Sequence, residues 1–201
     1  ERDLRNPEMW AFLTAGATGG STHIGLLRDT LAGGPRGRDR PLFHTFDTLR
    51  QRIEDDPYGF WRQVVDLHSV VSGWYDDRDL FHKVGYLVAI GTTFGELVEL
   101  SRYRGRSAFE AALDDRIRDH LRLTADELES LTFSSRATSD VLLLMNVETI
   151  RRTVDSFERY SFRAHADRRW TLEHIHAQQA EALNRAEQWR SWLEYHRAVL
   201  A

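Results

Sequence analysis

Apolar residues recur along this chain at the three- and four-residue spacing that places them on one side of an α-helix. After the pair Asp56-Pro57, this spacing predicts a helix with one broad apolar face, formed by Phe60, Trp61, Val64, Leu67, Val71 and Trp74. The stretch 80–90 is apolar at almost every position, which is typical of a buried central helix. A long helix is predicted from Ser139, with a buried side made of Val141, Leu142, Leu144, Met145, Val147 and Ile150.

Helix-start signals interrupt this apolar pattern. A polar residue followed by proline begins a helix, because the first helical turn leaves its backbone N–H groups unpaired and proline has none, and this signal occurs at Asn6-Pro7 and at Asp56-Pro57. Thr22 is predicted to cap a further helix. Capping boxes are predicted at 107–110 and 124–127, and they indicate helices at roughly 108–120 and 125–131.

Together these signals predict an all-α fold. We expect a multi-helix orthogonal bundle with at most one short strand near residues 170–175, where the sequence WTLEHI alternates. A chain of 201 residues can bury roughly 70% of its surface, so one helical body can form a core without covalent staples. That core is predicted to include Trp61, Leu87, Ile90, Leu143 and Leu144.

Composition narrows the functional classes. The chain has no cysteine, which excludes a disulfide framework and a thiolate zinc site and fits a reducing cytosol. No apolar run approaches the roughly 20 residues of a membrane span, so we expect a soluble cytoplasmic protein without membrane contact. The net charge of −4 gives no general attraction to nucleic acid, and a phosphate-binding surface must therefore be local.

Two arginine clusters could form such a local surface. A guanidinium group binds two phosphate oxygens at once, and the clusters consist of Arg36, Arg38 and Arg40 in a glycine- and proline-rich loop and of Arg102, Arg104 and Arg106. The alternative for both clusters is solvated loop charge.

Three other polar residues are predicted to have structural roles. His82 is predicted to be a core histidine satisfied by a nearby carboxylate, and Asn146 and Glu148 are predicted to hydrogen-bond to neighbouring helices.

The strongest local signal for chemistry is the pair Glu173-His174. An acidic residue directly before a histidine, followed by an aliphatic residue, is how an HNH (ββα-metal) nuclease domain begins. The carboxylate of Glu173 is expected to bind a divalent metal, and His174 to accept the proton of the attacking water as general base. Since strand residues two apart share a face, His174 and His176 could instead chelate a metal together.

Several blocks of the chain resemble the GmrSD-type family of modification-dependent (type IV) restriction endonucleases, in the same order. The segment WTLEHIHAQ at 170–178 resembles the family's "slEHIhaQ" motif, and the block 74–87 resembles its "W-D--LYH-iGyLi" block. Further similarity lies at 6–13, at 22–29 and at 142–148. In the second of these, Gly25 stands where the family usually has an acidic residue.

This resemblance implies a DNA endonuclease of antiviral defence, in a family that includes SspE-like proteins sensing phosphorothioate-modified DNA. Residues 1–160 are then expected to be the helical middle domain, and residues 161–201 a truncated N-terminal part of the HNH domain. Double-stranded DNA is the implied substrate and Mg²⁺ or Mn²⁺ the implied metal. The family's N-terminal NTPase domain is an expected partner within the same polypeptide, but its Asp-Gly-Gln-Gln-Arg motif does not occur in this chain.

The sequence leaves three functional classes open. The first is a piece of a metal-dependent phosphodiesterase that nicks or cleaves foreign DNA, inactive alone because the residues completing the HNH site are missing. The second is a non-catalytic helical scaffold or transducer that links an NTPase sensor to the nuclease. The third is a helical protein-interaction module without a role on nucleic acid. The oligomeric state is not predicted.

Overall fold

The computed structural model describes residues 6–14, 22–34, 37–132, 135–167, 169 and 186–200. The chain divides into two compact units, Glu1–Trp170 and Thr171–Ala201. Eleven α-helices and one 3₁₀ turn make up the regular structure of the described residues, and no strand occurs among them. The prediction of an all-α multi-helix bundle is thereby confirmed, while the strand proposed near 170–175 lies outside the described residues.

The first unit contains ten of these helices. They are α1 (Pro7–Thr14), α2 (His23–Ala32), α3 (His44–Asp55), α4 (Pro57–Asp76), α5 (Arg78–Ala89), α6 (Phe94–Ser101), α7 (Arg106–Leu121), α8 (Ala125–Glu129), α9 (Arg136–Arg152) and α10 (Phe162–Ala166), with the 3₁₀ turn at Gly37–Asp39. The second unit contains α11 (Ala186–Leu200). No helix of the described residues is long and apolar enough to cross a membrane.

Most of the predicted helix starts are present. The Asn6 side chain accepts the amide of Glu8, and Thr22 and Asp56 each accept the amide three residues later. At Thr124 the capping box forms in full, because Glu127 also accepts the Thr124 amide at 2.9 Å. Each of these contacts satisfies a backbone N–H group that the first helical turn leaves unpaired.

The capping box predicted at 107–110 is wrong. Helix α7 begins two residues earlier, at Arg106, with Gly105 as an N-cap that makes no side-chain hydrogen bond. Glu110 is therefore free to bind Lys83 instead of capping its own helix. A complete capping box that was not predicted lies at Thr93 and Glu96, at the start of α6.

Helix α5 is the centre of the first unit. It packs against α1, α4, α7, α9 and α10, and every residue from Leu80 to Val88 is buried. The predicted core residues Leu87, Ile90 and Leu143 are buried, and Leu144 is partly buried against the core. The buried central helix predicted at 80–90 is thus confirmed.

Two predicted core residues are exposed instead. The Trp61 side chain is 64% exposed, because the side of α4 that carries it faces an open apolar cavity rather than a packed helix. Met145 is 59% exposed, on the side of α9 turned away from the core residues Leu143 and Val147. Helical periodicity therefore predicted which helix faces are apolar, but not which of these faces other helices cover.

Candidate functional site

The predicted catalytic pair, Glu173 and His174, lies outside the described residues, and so does His176. Their assignment as metal ligand, general base and alternative chelating partner stays a prediction. Among the residues that the structure does describe, no group of three or more histidine, aspartate or glutamate side chains could hold a metal ion.

The block 74–87, which carries much of the family resemblance, lies at the junction of α4 and α5. Its side chains hold the segment that leads from α9 to α10, which we call the connector (residues 153–161). Beyond α10 the chain runs on to the predicted nuclease motif. The candidate site in the described structure is therefore this junction, which we call the connector anchor, formed by Arg78, His82, Gly85, Tyr160 and Phe162.

Arg78 binds both ends of the connector. Its guanidinium donates to the carbonyl oxygens of Ile150 at 2.6 Å and Arg151 at 3.0 Å, which belong to the last turn of α9. It also donates to the carbonyls of Thr153 and Glu158, at 3.4 and 3.3 Å. A helix ends with unpaired carbonyls and a negative dipole end, so a cation at this position caps α9 and fixes the direction in which the connector leaves it.

His82 is fully buried and makes two backbone hydrogen bonds. Its Nδ1 lies 2.6 Å from the Arg78 carbonyl, and its Nε2 accepts the Tyr160 amide at 3.1 Å. Since Nε2 accepts this hydrogen bond, it carries no proton; Nδ1 therefore carries the ring proton, and the imidazole is neutral. The predicted carboxylate partner is wrong: both partners are main-chain groups, one of them 78 residues away.

The electrostatic surroundings keep this imidazole neutral. Burial is the largest cause that lowers the pKa of His82 below its ordinary value of 6.5. The hydrogen bond to the Arg78 carbonyl opposes this shift, and the positive charges of Arg78, Arg151 and Arg159 add to it. A neutral ring is what the Tyr160 amide requires, because a protonated ring offers no acceptor.

Gly85 lets the chain beyond the connector approach α5 closely. A Cβ atom at this position would overlap the ring of Phe162, the first residue of α10. That ring lies 5.3 Å from the ring of Phe81 and 5.0 Å from the ring of Tyr160, and Phe12 of α1 stacks on Phe81 at 4.8 Å. The aromatic cluster thus joins three helices at a point where α5 has no side chain.

A network of charges connects α5 to α7 beside the anchor. The chain's one lysine, Lys83, is 6% exposed and binds Glu110 at 3.0 Å and Asp114 at 2.8 Å. Arg106 binds Asp77, the N-cap of α5, at 2.6 Å. Burial raises the pKa of Asp77, but the hydrogen bond from Arg106 and the backbone amides of Leu80 and Asp79 outweigh it and lower the pKa.

Glu148 is part of a second charge network, between α9 and α5. It pairs with Arg151 at 2.7 Å and with Arg152 at 2.8 Å on its own helix, and Arg151 reaches Asp79 at 2.9 Å. The prediction that Glu148 bonds directly to a neighbouring helix is therefore wrong, because an arginine mediates the contact. Asn146, predicted to do the same, lies on the exposed side of α9.

Several arginines proposed for phosphate binding are engaged within the protein. Arg40 bridges Asp29, Thr45 and the Gly33 carbonyl, and Arg106 bridges α5 and α7. Arg102 pairs with Glu99 at 3.1 Å, and Arg104 donates to the Leu100 carbonyl. These four arginines are therefore held by contacts within the chain, rather than being the solvated loop charge that the sequence left open as the alternative. Arg36 lies outside the described residues.

Comparison with known proteins identified no relative of this chain. No family model, no curated protein and no solved structure matches the chain.

Proposed function

We propose that this chain is the helical body of a modification-dependent DNA endonuclease, together with the opening motif of its HNH nuclease domain. The observation that carries the proposal is the segment WTLEHIHAQ at 170–178, in order with the blocks at 6–13, 22–29, 74–87 and 142–148. The protein would act in the cytoplasm on double-stranded DNA, with an NTPase sensor in the same polypeptide.

Within this proposal, two residues of the motif have chemical roles. Glu173 would hold Mg²⁺ or Mn²⁺, since its carboxylate is a hard oxygen donor of the kind these cations prefer. Such an ion would stabilise the charge that develops on the scissile phosphate. His174 would take the proton from the attacking water, which is a poor nucleophile until that proton is removed.

The connector anchor supports the second candidate function, a non-catalytic scaffold or transducer. Residues of the block 74–87, which also resembles the family, hold the chain that leads to the nuclease motif, through Arg78, His82 and Gly85. None of these residues is positioned as a catalytic group, because their polar atoms bind main-chain atoms and their apolar surroundings are packed. The two functions are compatible, with the described helices acting as scaffold for a nuclease site elsewhere.

The test is DNA cleavage by the complete endonuclease that the resemblance implies. His174→Ala should lower cleavage by about 10²–10⁴-fold, the usual contribution of a positioned general base, while nucleotide hydrolysis is unchanged. Glu173→Ala should lower cleavage as well, because it weakens metal binding, and excess Mn²⁺ should restore part of the activity. The 201-residue chain alone should show no cleavage with either metal.

His176→Ala is the matched control, since it removes another imidazole from the same motif. It should retain cleavage. Equal loss in His174→Ala and His176→Ala would support the paired-histidine chelate instead, and full activity of His174→Ala would contradict the nuclease assignment. Loss of both DNA cleavage and nucleotide hydrolysis in Arg78→Ala, with Glu173 and His174 unchanged, would favour the transducer function.

A further inference from the structure

Large apolar side chains remain exposed where α2, α3 and the start of α4 meet. Each of these side chains is between 44% and 88% exposed. We call the surface that they form the apolar face, and its residues are Ile24, Leu42, Phe43, Phe46, Ile53 and Trp61. Helix α3 illustrates the situation, since Leu49 is its one buried residue. An amphipathic helix normally covers its apolar side, so this face is incomplete in the single chain.

The apolar face is continuous and concave. A groove of about 1040 Å³ runs between α2, α3 and α4, and a second cavity of about 470 Å³ lies between α1, α2 and α4. The two share Leu27, Leu31 and Val64 as common walls. The second cavity has Trp10 and Trp61 among its lining residues.

The exposed area of this face fits a dimer interface. Three of the six side chains are aromatic, and a fully exposed aromatic side chain presents roughly 150–250 Å². With the three aliphatic side chains, the partly exposed face offers on the order of 600 Å² of apolar surface. The largest apolar patch on a typical monomer is about 300–600 Å². A standard interface buries about 800 Å² per partner, and about 65% of it is apolar in homodimers. The face therefore has the apolar area that one side of a stable homodimer needs.

The charges around the face select the kind of partner. Residues 24–66 contain seven arginines and seven acidic residues, and the groove itself is bordered by both signs through Arg28, Arg50, Asp29 and Glu54. DNA or an anionic membrane surface would require an excess of positive charge. A two-fold axis brings a surface against its own copy, and the charged rim of that surface can pair with itself where both signs are present.

We propose that the apolar face binds a second copy of this chain in an isologous dimer. Phe43, Phe46 and Trp61 are the aromatic anchors of the interface, and the mixed charges of α2 and α3 form its polar rim. The proposal is independent of the nuclease assignment, because none of these residues belongs to the predicted catalytic motif or to the connector anchor.

Sedimentation equilibrium of the 201-residue chain over a range of concentrations tests the dimer. The expected species has a mass of about 47 kDa, twice the 23.4 kDa of one chain. Phe46→Asp and Trp61→Asp should each weaken dimerisation by at least about 30-fold, as expected for central aromatic residues of an interface. Both side chains are 64% exposed in the single chain, so the variants should retain the helical circular dichroism of the wild type.

Phe157→Asp is the matched control. Phe157 is 99% exposed but lies in the connector, away from the apolar face, so this variant should dimerise like the wild type. Because the chain has no cysteine, Leu42→Cys allows a second measurement by thiol labelling. Its labelling rate should fall as the chain concentration rises, whereas that of Phe157→Cys should stay constant.

Three results would overturn the proposal. The first is a chain that stays monomeric at millimolar concentration, which would mean that another segment or another protein covers the face. The second is a dimer that neither Phe46→Asp nor Trp61→Asp weakens. The third is a monomeric chain in which these two variants reduce binding to a DNA duplex, which would make the face a nucleic-acid surface.

Discussion

The connector anchor and the apolar face both contain phenylalanine side chains, but the two regions differ in what covers those side chains. In α5, which carries the anchor, nine consecutive residues are buried, from Leu80 to Val88. In α3, which carries much of the apolar face, only Leu49 is buried. Phe162 of the anchor is 2% exposed and Phe46 of the face is 64% exposed. Packing, rather than residue type, thus separates a structural region from one available for binding.

The largest expected effect comes from comparing phenylalanines in the two regions. Phe162→Ala should lower the free energy of unfolding by about 3–5 kcal/mol, because it opens a cavity inside the aromatic cluster. Phe46→Ala should change it by less than about 0.5 kcal/mol when measured at a concentration where the chain is monomeric. Urea denaturation measures both values. Similar losses in the two variants would remove the distinction between the regions.

A pair of glycines gives the next largest contrast. Gly85→Ala should cost about 1–3 kcal/mol, because its new Cβ overlaps the Phe162 ring in a packed core. Gly73→Ala is the control, since a Cβ on that residue of α4 meets nothing within 4 Å. It should stabilise the chain by about 0.5–1 kcal/mol, as alanine does inside a helix. In a double-mutant cycle, Phe162→Leu should recover part of the Gly85→Ala loss, and strict additivity would contradict the proposed contact.

Acidification should loosen the anchor through His82. The pKa of His82 is lowered in the folded chain, so the unfolded chain binds more protons below the ordinary value of 6.5, and stability falls as the pH falls through this region. One proton accounts for a slope of at most about 1.4 kcal/mol per pH unit. In His82→Asn the slope between pH 6.5 and pH 5 should be smaller by that contribution. Thermal unfolding in this pH range measures the slopes, and parallel curves for the two proteins would contradict the role of His82.

The smallest expected effect concerns helix starts. Thr93→Ala should cost about 1 kcal/mol, because it removes a complete capping box at the start of α6. Ser107→Ala should be close to neutral, because α7 begins at Arg106 without a side-chain cap. Chemical denaturation resolves the difference between the two variants. A loss in Ser107→Ala as large as that in Thr93→Ala would show that the predicted box forms after all.

Much of the fold could be predicted from the sequence, because helices depend on local information. Caps such as Thr22 and Thr124 act within three residues, and both formed as expected. The apolar run at 80–90 could only be buried on all sides. The catalytic site was harder to predict than the fold. The assignment of the pair Glu173-His174 rests on resemblance, and the pair lies outside the described residues.

The sequence by itself determined the all-α class, the starts of α1, α2, α4 and α8, and the central place of α5. The tertiary structure decided the rest, namely that Trp61 faces an open cavity, that His82 binds a main-chain amide 78 residues away, and that Gly85 receives the Phe162 ring. The physical reason is the range of each interaction. Caps and periodicity join residues within one or two helical turns, whereas burial and buried hydrogen bonds depend on which distant segments meet.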